Sequence, residues 1–329
     1  MQSNQPDFYD LLQRGIKALY NADYQNARKL LENALELDPL SVNCLYNLAK
    51  VYSNMELFEL AIDSYKKIIE LEETPTNVYN LACEYYNNDQ FDEAIHFYHQ
   101  AIELDPDYVL AYDGLGSSYG SIEEYDKSIE YYRKAIKLEP TNAKYFSNLG
   151  WAYESAGEYD IAVMYLQKAI DIDPEFTDAL HNLGFAYYFL GEYEKSIEVF
   201  KEAIEFGSLN PDAYINLAYA YEELKENEKA CECYQKASEL DPKDNELRFQ
   251  YAKSLHEIGK FKKAIKELEY ITKKEPGNLD AWRELGICYD IEKEYEKASS
   301  CFKKVVEITN GTSKKKPTPV KKKPMKKDP

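Results

Sequence analysis

Apolar and small side chains recur along this chain in a long, fixed order. Within almost every window of 34 residues, positions 4, 7, 8 and 11 are apolar or small, and positions 20, 24 and 27 are so again. Spacings of three and four put each set on one face of a helix. The pattern predicts two amphipathic helices joined by a short polar break, such as Glu124-Tyr125-Asp126 or Gly191-Glu192-Tyr193, and closed by a proline. Proline falls at 106, 140, 174, 242 and 276, in steps of 34 or 68, and Pro39 lies 67 before Pro106, so one residue is missing near Thr74-Pro75. This spacing sets nine repeats, which begin at residues 8, 42, 75, 109, 143, 177, 211, 245 and 279. Each predicts an antiparallel helix pair.

Two positions fix how the helices of a pair meet. The eighth holds Gly15, Ala49, Ala82, Gly116, Gly150, Gly184, Ala218, Ala252 and Gly286. The twentieth holds Ala27, Ala61, Ala94, Ser128, Ala162, Ser196, Ala230, Ala264 and Ala298. Small residues at fixed points let helices approach closely, and larger ones fill the space beside them. The twenty-fourth position supplies such residues: Leu31, Tyr65, Tyr98, Tyr132, Leu166, Phe200, Tyr234, Leu268 and Phe302. A lone pair of 34 residues cannot bury its apolar face, so stacking of neighbours must supply the stability. The 31 Tyr of the chain, seven of them at position 11, are accordingly expected to be mostly inter-helix packing residues.

In the ninth repeat, Trp282, Leu285, Gly286, Tyr289, Ala298 and Phe302 reproduce the pattern W-x2-L-G-x2-Y, A-x3-F. On these residues the chain resembles the tetratricopeptide repeat (TPR) family from residue 8 to about 311. The resemblance implies an all-α, right-handed superhelical solenoid of nine helix-turn-helix repeats that acts as a protein-protein interaction scaffold. Arg14, Ala18 and Arg248 depart from the pattern, and looser packing is expected in the first and eighth repeats.

The resemblance also implies that the first helix of each pair lines a concave groove through positions 2, 5, 6, 9, 12 and 13. Position 6 carries Asn47, Asn80, Asn148, Asn182 and Asn216. Asn is a mediocre helix former, so its recurrence asks for a reason. A ladder of amides can hydrogen-bond an extended peptide backbone, similar to the asparagine ladder of O-linked N-acetylglucosamine transferases, here without a transferase domain. Equally, the amides can bond locally between repeats. At position 9, Trp151, Phe185 and Tyr219 follow one another, with Tyr188 and Phe189 beside them; they suit either an apolar lane for a ligand or lateral packing. A clamp for acidic chaperone tails is not expected, because position 5 never holds Lys and position 9 never holds Asn.

Charge sharpens the expectation. Formal net charge is −19, but residues 312–329 carry eight Lys and one Asp, leaving −26 on the preceding 311 residues. So acidic a body repels the phosphate backbone of nucleic acid. In the last four repeats the groove positions carry Asp178, Asp212, Glu222, Glu223, Glu246, Glu257, Asp280, Glu284 and Asp290 against Lys253 and Arg283. The expected partner is a protein or peptide with a basic or aromatic extended segment.

Other chemistry is thin. Gly114, Gly116 and Gly120 mimic a phosphate loop, but they lie inside a predicted helix with no strand ahead of it. Asp92, His96 and His99 share a helical face, yet it belongs to the outer helix and no fourth ligand follows. The six Cys show no disulfide framework or zinc spacing. No cofactor, metal, small-molecule substrate or enzymatic activity is expected. With no leader or spanning segment in the sequence, the expected setting is the cytoplasm. Residues 1–7 read as an N-terminal extension. The segment 312–329, rich in Lys and Pro, reads as a disordered tail. It offers the alternative function, an accessory protein tethered to nucleic acid or an anionic membrane.

Overall fold

The computed structural model describes residues 7–207 and 210–312, apart from the side chains of 311 and 312. The Lys-rich tail after Thr312 and the first six residues lie outside the described residues. Regular structure among the described residues is entirely helical. It divides into two compact units between Ile172 and Asp173.

The N-terminal unit holds five helix pairs: α1 (Phe8–Tyr20) with α2 (Tyr24–Leu37), α3 (Val42–Asn54) with α4 (Phe58–Leu71), α5 (Pro75–Asn87) with α6 (Phe91–Leu104), α7 (Val109–Ser121) with α8 (Tyr125–Leu138), and α9 (Ala143–Ser155) with α10 (Tyr159–Ile172). The C-terminal unit holds four: α11 (Thr177–Phe189) with α12 (Tyr193–Glu205), α13 (Pro211–Glu223) with α14 (Asn227–Leu240), α15 (Asn245–Glu257) with α16 (Phe261–Lys274), and α17 (Leu279–Ile291) with α18 (Tyr295–Thr312). Every first helix opens on a residue that opens the 34-residue register. The last helix runs through Thr312, where the tail was expected to begin.

Seven of the nine first helices start at a side-chain cap. Asp7, Ser41, Thr74, Asn142, Asn210, Asp244 and Asn278 each accept a backbone N–H from the first turn of the helix they precede. Pro75 and Pro211 sit in that turn, where a missing N–H leaves nothing unpaired.

The turn inside each pair is built one way throughout. Its fifteenth position has a positive φ in every repeat: Ala22, Glu56, Asp89, Glu123, Gly157, Gly191, Lys225, Gly259 and Lys293. The next residue donates its N–H back to the carbonyl of position 11, as Leu57 does to Tyr52 and Glu226 to Tyr221, both at 2.9 Å. Position 15 itself donates to position 12, as Glu56 does to Ser53 at 2.9 Å. These two bonds around a left-handed residue are a Schellman motif. They close the first helix and reverse the chain with no residue to spare, which fixes the repeat length on this side.

Packing follows the small-against-large rule. A Cβ added to Gly15, Gly116, Gly150, Gly184 or Gly286 would meet Leu31, Tyr132, Leu166, Phe200 or Phe302, in each case the residue at position 24 of the same repeat. Tyr at position 11 joins neighbours. Tyr52 is 7% exposed and donates its hydroxyl to Glu32 on α2 at 2.9 Å; Tyr289 reaches Glu269 on α16 in the same way. A polar residue at position 4 can tie its pair to the preceding turn: Tyr112 donates to the Pro106 carbonyl and Trp282 to that of Pro276, both at 3.0 Å. Arg248, expected to loosen the eighth repeat, takes up the same contact, while its Nε is buried without a partner. Its guanidinium reaches the Pro242 carbonyl at 3.5 Å, pairs with Glu267 and lies 4.2 Å over the Tyr270 ring. A planar cation with several donors here replaces the consensus indole.

Candidate protein-binding surface

The Asn positions of the first helices do not form one uniform row of amides. In the N-terminal unit, Asn148 donates to Asp113 of the preceding repeat at 2.7 Å. That carboxylate, 7% exposed, also receives Lys144 at 2.8 Å. Asn47 turns onto its own helix, donating to the Asn43 carbonyl at 2.8 Å. The Asn80 amide nitrogen is buried without a partner. In the C-terminal unit, Asn216 is 2% exposed and its amide lies 2.9 Å from Nε2 of His181, one repeat earlier. Asn182 is half-buried. Asn148 and Asn216 therefore bond between repeats, with position 6 reaching back to position 5.

The aromatic lane is corrected in the same sense. Phe185 is 1% exposed, its ring edge-on to Phe200 at 5.7 Å and to His181 at 5.0 Å. Trp151 is half-buried, its ring over Gly120 of the preceding repeat, where a Cβ would lie 2.6 Å away. Tyr219 is half-buried against Tyr234. Position 9 faces the neighbouring helices, because a bulky ring gains more there than in water. Tyr188 and Phe189 lie nearer the surface, and the Tyr188 hydroxyl donates to Glu223 at 3.3 Å.

The acidic positions of the C-terminal unit do reach the surface. Asp178, Glu246 and Asp280 are exposed and Asp212 is half-buried; all four occupy position 2 of successive first helices. Asp280 accepts from Arg283 at 2.8 Å and Glu246 from Gln250 at 2.9 Å. Glu222 is half-buried and accepts from the Tyr234 hydroxyl at 2.9 Å. Burial pushes its carboxyl above the ordinary value, an effect that this hydrogen bond and Lys253 partly offset. In the N-terminal unit the position-5 carboxylate Asp113 is instead neutralised internally by Lys144.

The two decoys resolve by packing. Gly114, Gly116 and Gly120 lie in the unbroken helix α7, where added Cβ atoms would meet Tyr98, Tyr132 and Trp151. They admit neighbouring rings, not phosphate. His99 turns to Tyr131 of the next repeat, while Asp92 and His96 stay exposed, so the three do not converge.

One convergence escaped the sequence. Ligand atoms of His256, Glu284 and Cys288 lie within 4.8 Å of one another, the one such cluster among the described residues. Nothing in their linear spacing announces it. The register does, once position 10 of one repeat is seen to face position 12 of the repeat before, as Glu84 faces Ser53. All six cysteines are free thiols. Among the described residues no helix is long and apolar enough to cross a membrane.

Comparison with known proteins places these features. A tetratricopeptide repeat family model matches residues 18–275, and a second matches residues 251–311. No curated protein sequence matches. Among solved structures, YrrB, described as a TPR protein with an unusual peptide-binding site, is 26% identical over 54% of this chain and 92% of its own, with a TM-score of 0.50. A tetratricopeptide repeat protein from Parabacteroides merdae ATCC 43184 is 15% identical over 75% of this chain and 98% of its own, with a TM-score of 0.62. MamA is 33% identical over 49% of this chain and 95% of its own, with a TM-score of 0.45.

Proposed function

The chain belongs to the tetratricopeptide repeat family, and on that footing we propose that it is a non-catalytic protein-interaction scaffold whose C-terminal unit holds an extended, basic protein segment on its first-helix face. One observation carries this: Asp178, Asp212, Glu246 and Asp280 recur at one position of four successive first helices. Of these, only Asp280 has a cationic partner among the described residues. A carboxylate repeated once per repeat matches a chain with cations spaced along it. Complementary charge of this kind sets specificity and association rate more than raw affinity. Half-buried Tyr219 and the neighbouring Tyr188 and Glu222 supply aromatic and accepting groups beside the row. The description of YrrB as a peptide binder agrees with this reading.

The amides contribute unevenly. Asn182 remains a candidate for peptide contact, whereas Asn148 and Asn216 already bond to the preceding repeat and Asn47 to its own helix. Trp151 and Phe185 serve packing and are not proposed as contacts.

The test is titration of the full chain with an extended Lys/Arg peptide at low and high salt. Reversing Asp178, Asp212 and Glu246 together to Lys should abolish the salt-sensitive binding. Glu198, Glu202 and Glu232 reversed together to Lys, on second helices of the same unit and with the same change of charge, should leave most of it. Equal loss in both variants would reduce the effect to net charge, and no loss in the first variant would overturn the assignment.

A further inference from the structure

We propose that His256, Glu284 and Cys288 form a binding site for a borderline-soft divalent cation of the Zn2+ type, which fastens α15 to α17. The three offer one nitrogen, one oxygen and one sulfur, mutually within 4.8 Å. His256 stands in the last turn of α15, and its Nδ1 already contacts Oε1 of Glu284. Glu284 and Cys288 are one turn apart on α17, so their side chains share a face.

The surroundings suit a cation. Cys288 has no exposed surface, and the side chains of Glu284 and His256 are 17% and 26% exposed. One side of the cluster is thus closed by protein and the other opens to water. Two carboxylates, Glu284 and Glu292, bear on the buried thiol. Lys262, 87% exposed, meets Glu292 at 3.9 Å. Phe261 packs on the imidazole at 5.4 Å between ring centres and holds its orientation. A bound cation would offset the carboxylates and replace the thiol proton, which leaves to solvent.

Ligand chemistry selects the metal class. Imidazole, carboxylate and thiolate together suit Zn2+, which takes three protein ligands and keeps a fourth position for water or a partner's donor. Hard cations such as Mg2+ and Ca2+ want oxygen ligands and would pass the site over.

The experiment uses the full chain, stripped with a chelator and titrated with Co2+ as a coloured stand-in for Zn2+. We expect a sulfur-to-cobalt charge-transfer band that saturates at equimolar metal and is displaced by Zn2+. Zn2+ should also raise the melting temperature. Cys288→Ala should fold, because Ala152, Ala186 and Ala220 occupy the same position of other repeats. It should lose the band and the Zn2+ shift. His256→Gln should weaken binding by more than about tenfold, a loss that even changes behind the ligands can produce. Cys83→Ser, at the half-buried thiol of the other unit, should change nothing. An absent band in the unaltered chain, or a band that survives Cys288→Ala, would overturn the site. In either case the trio would be a hydrogen-bonded pair beside an inert packed thiol.

Discussion

The Cβ that Gly184 lacks would lie 2.5 Å from Cε1 of Phe200, a ring with no exposed surface. The same contact at Gly286 would fall on Phe302 at 2.8 Å, but that ring is 39% exposed and has room to swing. The two glycines look interchangeable in sequence and differ only in what their neighbours can yield. Gly184→Ala should cost about 1–3 kcal/mol by overpacking. Gly286→Ala should be neutral, or gain up to about 1 kcal/mol from helix propensity. In a repeat stack stability is coupled between neighbours, so the loss should appear in a transition of the C-terminal unit. Chemical denaturation of both variants checks this; equal stability would contradict the packing described.

The left-handed turn residues give a second, separable prediction. Nothing lies within 4 Å of a Cβ at Gly157, Gly191 or Gly259, so an alanine there meets only backbone strain. Each Gly→Ala change should cost about 1 kcal/mol. Ala22→Gly and Lys225→Gly, where φ is 56° and 61°, should not destabilise and should gain a few tenths of that amount. A loss in the Lys225→Gly variant would show that this side chain contributes more than its strained backbone costs.

These turns mark where legibility in the sequence ends. The period, the helix starts and the small-large pairing could be read, because each depends on residue size and on prolines that recur at fixed spacing. The position-15 conformation could not, since six of its nine occupants are not glycine and the Schellman hydrogen bonds that impose it are backbone groups. The aromatic row stays open for another reason. Periodicity gives the face of a helix but not which neighbour covers it, so Phe185 suits a ligand lane or lateral packing equally until its ring is seen against Phe200. Arg248 was misjudged because its residue type departs from the pattern while its hydrogen bond does not.

The amides between repeats yield a third prediction. Asn216 is buried and joined to His181, so Asn216→Ala removes this bond between repeats and should cost about 1 kcal/mol. Asn47 bonds within its own helix, and Asn47→Ala should be neutral or slightly stabilising through propensity. Thermal melts of the two single variants distinguish them. Equal behaviour would remove the structural distinction between these positions.

A buried carboxylate supplies the last. Glu84 is 6% exposed and its Oε2 has no partner. Burial raises its pKa above the ordinary 4.5, an effect only partly offset by hydrogen bonds from Ser53 and Asn87. The folded chain therefore holds this proton more firmly than the unfolded chain does. Stability falls with pH wherever the native state binds more protons. The contribution is fully present below 4.5 and is lost as pH rises through the raised value. At neutral pH the ionised group is a net burden. Glu84→Gln keeps the shape and one accepting oxygen while removing the charge, and should raise stability near pH 7 by about 1 kcal/mol. That advantage should shrink as the pH falls toward 4.5. Measuring the difference between the two proteins cancels the titration of the other carboxylates. A constant difference across that range, or a less stable variant at neutral pH, would mean that Glu84 is ionised and satisfied in the folded chain.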